Sequence, residues 1–209
     1  MFSSKLGIVL FIVIVPTVDF LDGVKIEQDN KETFTQYWVS KHKEHFDALD
    51  VNHDGNVTER ELTVVPTNRA KHVLPSWRVK AVYGVLNMAY HTWWSNEYTD
   101  YKTSISFDDW IQSFGKDMVY TGDEVDEFAL DFFHIVEVDC NEELTLKEYS
   151  KFLDIFRNTA DIQVIFRAID IDRNNVIDVK EFLYGIKGFT YDEAPDSAAY
   201  IFGSRDKES

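Results

Sequence analysis

From Phe34 onward, apolar residues recur every three or four positions, and each such run leads into a short polar stretch rich in Asp and Asn. Phe34, Trp38, His42, Phe46 and Leu49 make the first stripe, the spacing of one helix face laid against a core. Asp29 to Thr35 is polar and leads into it. A second helix begins at Glu61 and Leu62 and is expected to stop near Pro66, which lacks the N–H a helix interior needs. Pro75 punctuates the way to a long helical stretch over 77–97. A short helix is expected over Phe107–Phe114, with Gly115 and Gly122 bracketing a hinge. Phe128, Phe132, Phe133 and Ile135 mark a helix over Asp123–Val136, and Ile162–Ile169 marks another. The run from Gly188 to Pro195 is expected to break the last helix. Ala198–Phe202 then folds back as an apolar piece, before a disordered tail at 204–209.

The polar stretches between these helices carry the chemistry. Asp50 to Glu61 reads DVNHDGNVTERE. A calcium ion takes six to eight hard oxygens at about 2.3–2.6 Å. Here Asp50, Asn52 and Asp54 offer side-chain oxygens, Asn56 a backbone carbonyl, Thr58 a contact direct or through water, and Glu61 a two-oxygen clamp. Gly55 permits the positive φ of the turn, and the spacing matches the EF-hand pattern in full. A later stretch, DIDRNNVIDVKE, repeats it: Asp170, Asp172, Asn174 and Asp178 give side chains, Val176 a carbonyl and Glu181 the clamp. Its turn residue is Asn175, and Asn is one of the few side chains at home in the left-handed region.

Two further stretches are less regular. With Leu144 as the central apolar residue, a third loop would use Glu137, Asp139, Asn141, Thr145 and Glu148. Its first ligand is a methylene too long, and Glu142 stands where positive φ is required, so its occupancy stays open. With Ile105 central, another loop has Tyr98 first, Asp100 third, Lys102 fifth and Asp109 twelfth. A tyrosine and an ammonium leave no competent ion site there, so this loop is expected to serve only as a pairing partner, Ile105 against Val57, as Leu144 pairs with Ile177.

Four loop centres make an internal fourfold repeat, which predicts an all-α fold: four EF-hand helix–loop–helix units in two pairs, 30–114 and 123–203, forming one compact domain. With a degenerate second unit and long linkers, the chain resembles the sarcoplasmic calcium-binding protein family, and the related calexcitins and coelenterazine-binding photoproteins. Trp38 to Gly55, WVSKHKEHFDALDVNHDG, looks particularly like the start of a photoprotein. The resemblance implies a cavity histidine at His42. It also implies a His, a Trp and a Tyr where this chain has Ile186, Thr190 and Phe202. Luminescent chemistry is therefore not expected, while an aromatic cavity lined by Trp38, His42, Trp94 and Trp110 stays open.

Composition narrows the partners. Against 37 acidic residues stand 21 basic ones, a net charge of −16; such a surface repels nucleic acid and anionic lipid and attracts cations. Cys140 is the single cysteine, so no internal disulfide forms. Met1 to Gly23 has one Lys ahead of a short apolar run, then Pro16, the layout of a cleaved secretory signal. A secreted or lumenal protein is expected, without stable membrane insertion after cleavage; a retained segment would instead mean a cytoplasmic one. Asn56-Val57-Thr58 forms a glycosylation sequon, read as chance because it falls within the first loop. No HExxH, GxSxG or phosphate-cradling glycine loop occurs, so no enzyme is expected. His42 and His134 read as partly buried structural groups and His53 as a surface one. The leading function is calcium binding as a buffer or calcium-stabilised module. The alternatives are a carrier of a hydrophobic small molecule and a sensor of a protein partner, although only Met88 and Met118 beyond the initiator could furnish a sensor groove.

Overall fold

A computed structural model describes residues 34–95, 100–114, 122–157, 161–192 and 201–202. The expected signal segment, Tyr98, the hinge at 115–121, Ala198 and the tail lie outside these residues.

The described chain is eight α-helices with two small antiparallel ribbons. The first helix, α1, is Gln36–Leu49, opened by Thr35, whose side chain accepts from Trp38 N. Strand β1 (Asn56–Thr58) pairs with β2 (Ser104–Ser106), Val57 opposite Ile105. Strand β3 (Glu143–Leu144) pairs with β4 (Ile177–Asp178), Leu144 opposite Ile177. These four central residues are at most 1% exposed, so each ribbon holds two loops together through a dry apolar contact.

Helix α2 runs Glu59–Val73, through Pro66 rather than stopping at it. Leu62, Pro66 and Ala70 fall four apart and are all buried, so the proline adds to the apolar stripe. Burial along that stripe offsets the roughly 3 kcal/mol that an interior proline costs. The Thr63 and Thr67 hydroxyls donate back to Glu59 and Thr63 carbonyls, each at 2.7 Å, on either side of it. The next stretch also departs from expectation. Helix α3, Ser76–Ala89, passes into a π-helical turn, Tyr90–Trp94, and does not continue regularly. Tyr90 is buried there with its hydroxyl donating to Lys102 O at 2.9 Å, which ties the turn to the second loop.

Helices α4 (Phe107–Gln112), α5 (Gly122–Val136), α6 (Leu146–Ile155) and α7 (Ile162–Ile169) follow. Helix α8, Val179–Tyr191, runs past Gly188 instead of breaking there. Its last carbonyls are the reason, because they find buried donors on α1. Trp38 Nε1 donates to Thr190 O at 3.0 Å, Lys41 Nζ to Gly188 O at 2.8 Å and also to Asp192 O, and the His42 ring to Phe189 O at 3.2 Å. A lysine ammonium at a helix C-terminus also meets the negative end of the helix dipole. A second cation repeats the device, Arg78 of α3 donating to His134 O and to Ile135 O at 3.0 Å at the end of α5.

The aromatic core is continuous. Phe152 is fully buried and meets Phe132, Phe156, Phe182 and Phe202 at ring separations of 5.1–5.8 Å. Ile201 and Phe202 fold back as expected, with Tyr149 Oη donating to Ile201 O at 2.6 Å. Gly185 makes room for them: a Cβ there would lie 2.8 Å from Ile201 Cδ1. Among the described residues no helix is long and apolar enough to cross a membrane.

Candidate metal centres and aromatic cavity

The first, third and fourth loops grow directly from helix ends. The N–H groups of Asp50, Glu137 and Asp170 close the last turns of α1, α5 and α7 on Phe46, Phe133 and Phe166 carbonyls at 2.8–2.9 Å. At the far side the ninth loop residue is the N-cap of the exiting helix and the twelfth its third residue. Thr58/Glu61, Ser106/Asp109, Thr145/Glu148 and Asp178/Glu181 all form reciprocal capping boxes. One i, i+3 pair thus starts the helix and points the clamp carboxylate into the loop.

In the first loop Asp50 and Glu61 are buried while Asn52 and Asp54 are exposed. Asp50 accepts from Asp54 N at 3.2 Å and Gly55 N at 2.8 Å. Glu61 accepts from Val51 N, Thr58 N and the Thr58 hydroxyl at 2.7–3.1 Å. Asn56 N is held by Asp54 Oδ1 at 2.9 Å, and Asn56 and Thr58 both lie in β1.

The fourth loop reproduces this with different residues. Asp170 accepts from Asn174 N and Asn175 N, each at 3.0 Å, and Val176 N is held by Asn174 Oδ1 at 2.9 Å. Glu181 accepts from Ile171 N at 2.7 Å and from Asp178 N at 3.0 Å. Oxygens of Asp170, Asp172 and Glu181 lie within 4.8 Å of one another, and Asp170 and Glu181 are buried.

The third loop has the same backbone. Positive φ falls at the fourth and sixth positions in all three: His53 and Gly55, Cys140 and Glu142, Arg173 and Asn175. Glu142 holds φ +66° as a non-glycine residue, a strain of about 1–2 kcal/mol. Glu137 reaches Asn141 N at 2.7 Å despite its extra methylene. Burial raises the Glu148 pKa, yet hydrogen bonds from Val138 N and Thr145 outweigh it and hold the carboxyl below its ordinary value.

In the second loop Lys102 Nζ pairs with Asp109 Oδ1, putting an ammonium on the clamp carboxylate. Burial tends to raise the Asp109 pKa, but the Lys102 and Ser106 hydrogen bonds prevail and lower it.

Lined from both loop pairs is a cavity of about 60 Å³, walled largely by aromatic rings, several times the ~10–15 Å³ one water needs. Trp94 and Trp110 line it as expected, stacked with centroids 4.8 Å apart. Trp38 and His42 do not, because both are spent in the latch between α1 and α8. Trp110 Nε1 donates to His42 Nδ1 at 3.1 Å, so the proton on that ring sits on Nε2 and faces Phe189 O. His45 lines the wall instead, together with Ile186, Thr190 and Phe202. Its signal was present in the sequence, three residues after His42 and so on a neighbouring line of the same helix face. His134 is exposed, not partly buried, because its position on α5 faces away from the core; His53 is exposed as expected.

The EF hand family matches residues 44–65 and 162–183, which contain the first and fourth loops whole. Both segments are EF-hands. Aequorin-2 of Aequorea victoria is 27% identical over 179 residues, 76% of this chain and 85% of that protein. Okadaic acid binding protein 2.1 shares the fold at a TM-score of 0.64, 16% identical over 83% of this chain and 98% of its own. A sarcoplasmic calcium-binding protein from amphioxus does so at 0.61, 16% identical over 83% and 100%. The fold of these proteins is therefore common to the whole described body, and the chain binds calcium through EF-hands.

The EF-hand body also carries a pH dependence. Burial, then the Lys41 charge and His45, lower the His42 pKa well below 6.5; burial lowers that of His45 to about 3. Both rings are neutral when folded and titrate near 6.5 when unfolded, so their contribution is complete above pH 6.5 and is lost as pH falls below it. The melting temperature in calcium is expected to drop between pH 7 and 5. His45→Leu should flatten that slope; an equal slope in the variant would remove His45 from the account.

Proposed function

We propose that the protein is a calcium-stabilised module in which two ions act as structural braces. One would be held by Asp50, Asn52, Asp54, Asn56, Thr58 and Glu61, the other by Asp170, Asp172, Asn174, Val176, Asp178 and Glu181. The convergence of Asp170, Asp172 and Glu181 within 4.8 Å carries this reading. Carboxylates so close, with Asp170 and Glu181 buried, repel one another unless a cation lies among them. The N-terminal layout supports export, and extracellular calcium near the millimolar range fills even weak sites. Isothermal titration of the calcium-stripped protein is expected to find at least two ions per chain. Glu61→Gln and Glu181→Gln should each remove one, and unchanged stoichiometry in either would overturn the ligand assignment for that loop.

The cavity supports a second role, carriage of a small hydrophobic molecule. Its walls are largely aromatic and among the described residues no charged side chain lines it, the composition of small-molecule sites. Okadaic acid binding protein 2.1, whose name records a small-molecule ligand, has the same fold. Mass spectrometry of organic extracts from the purified natural protein tests this through a stoichiometric compound.

A further inference from the structure

We propose that His45 is the hydrogen-bonding anchor of the cavity, and that the occupant is a small neutral aromatic molecule bearing one hydroxyl or carbonyl group. This rests on the carrier reading above. His45 is enclosed by rings: Phe202 at 4.4 Å, Phe189 at 5.3 Å, and Trp110 and Phe156 at 5.8 Å between centroids. It is half-buried and lines the cavity. Neither ring nitrogen has a hydrogen-bond partner among the described residues, whereas His42, one turn earlier, has both of its nitrogens engaged. A half-buried imidazole on a cavity wall with no partner of its own can hydrogen-bond a guest.

The chemistry of that partner follows from the wall. A neutral imidazole offers one donor and one acceptor, so it can take a phenolic hydroxyl or a carbonyl oxygen. Of the other polar side chains on the wall, Thr190 already donates its hydroxyl to Ile186 O at 2.9 Å and Trp110 its N–H to His42, while the Trp93 and Trp94 indoles can only donate. Among the described residues no carboxylate, lysine or arginine lines the cavity, so a charged guest would be buried without a counter-ion. At about 60 Å³ the space is well below the ~300–1,000 Å³ of drug-sized sites, which favours a single ring with short substituents.

The test uses p-cresol and p-xylene, which differ only by hydroxyl against methyl. Calcium-loaded full-length protein is titrated with each by isothermal calorimetry, in the wild type, His45→Leu and His45→Gln. Relative to wild type, His45→Leu is expected to shift the affinity ratio about tenfold toward p-xylene, the worth of one hydrogen bond. His45→Gln, which keeps a donor and an acceptor, should stay within about threefold of wild type. Should His45→Leu fail to fold, His45→Met takes its place. Binding of both compounds with an unchanged ratio in the apolar variant overturns the role of His45 and leaves the carrier reading intact. Binding of neither compound to the wild type overturns both.

Discussion

Chelating calcium from the purified protein is expected to lower its melting temperature by about 15–30 °C. An ion that binds only the folded state adds about 4 kcal/mol when its free concentration is 1,000-fold above Kd. Two such sites contribute about 8 kcal/mol, and each kcal/mol moves the midpoint of a domain this size by ~2–4 °C. The physical cause is local. Asp50, Glu61, Asp170 and Glu181 are 4–7% exposed, and stripping the ion leaves carboxylates facing one another with backbone N–H groups as their partners. Differential scanning calorimetry with and without chelator measures the shift. A midpoint that moves by less than ~2 °C, in protein shown by metal analysis to have been loaded, would sink the structural-brace reading. The second loop should be indifferent to chelation, because Lys102 already supplies a positive charge to Asp109.

Phe152→Ala is expected to cost about 3–5 kcal/mol, and so to lower the midpoint by ~6–20 °C even with calcium saturating. Phe152 is fully buried on α6 and sits among rings from α5, α8 and the 201–202 segment. Truncating it removes the apolar transfer term and leaves a void that a packed aromatic cluster closes only in part. Calcium affinity at the first loop should change little, since Phe152 touches none of that loop's residues in these ring contacts. Chemical denaturation monitored by tryptophan fluorescence gives the stability loss. A cost below ~1 kcal/mol would mean that the core repacks freely around that site.

The loops were legible before the fold because their requirements are short-range. Oxygen ligands at fixed offsets, a residue tolerant of positive φ at the sixth place and a cap-plus-clamp pair at the ninth and twelfth all lie within twelve residues. The pairing of Val57 with Ile105 and Leu144 with Ile177 followed from the same register. Helix ends were read less well. Pro66 and Gly188 are breakers by local rule, yet both lie inside helices. Pro66 is retained by burial against the core, and the end of α8 by donors more than 140 residues away in sequence.

The same division separates His42 from His45. By itself the sequence determined that His42 would face inward from α1 and that calcium loops would flank the helices, because periodicity and ligand spacing are properties of neighbouring residues. Only the tertiary structure decided that His42 would be consumed by Trp110 and Phe189 O while His45 would be left facing a cavity. Hydrogen-bond partners for a buried ring come from α4 and α8, elements that nothing in the local sequence of α1 specifies.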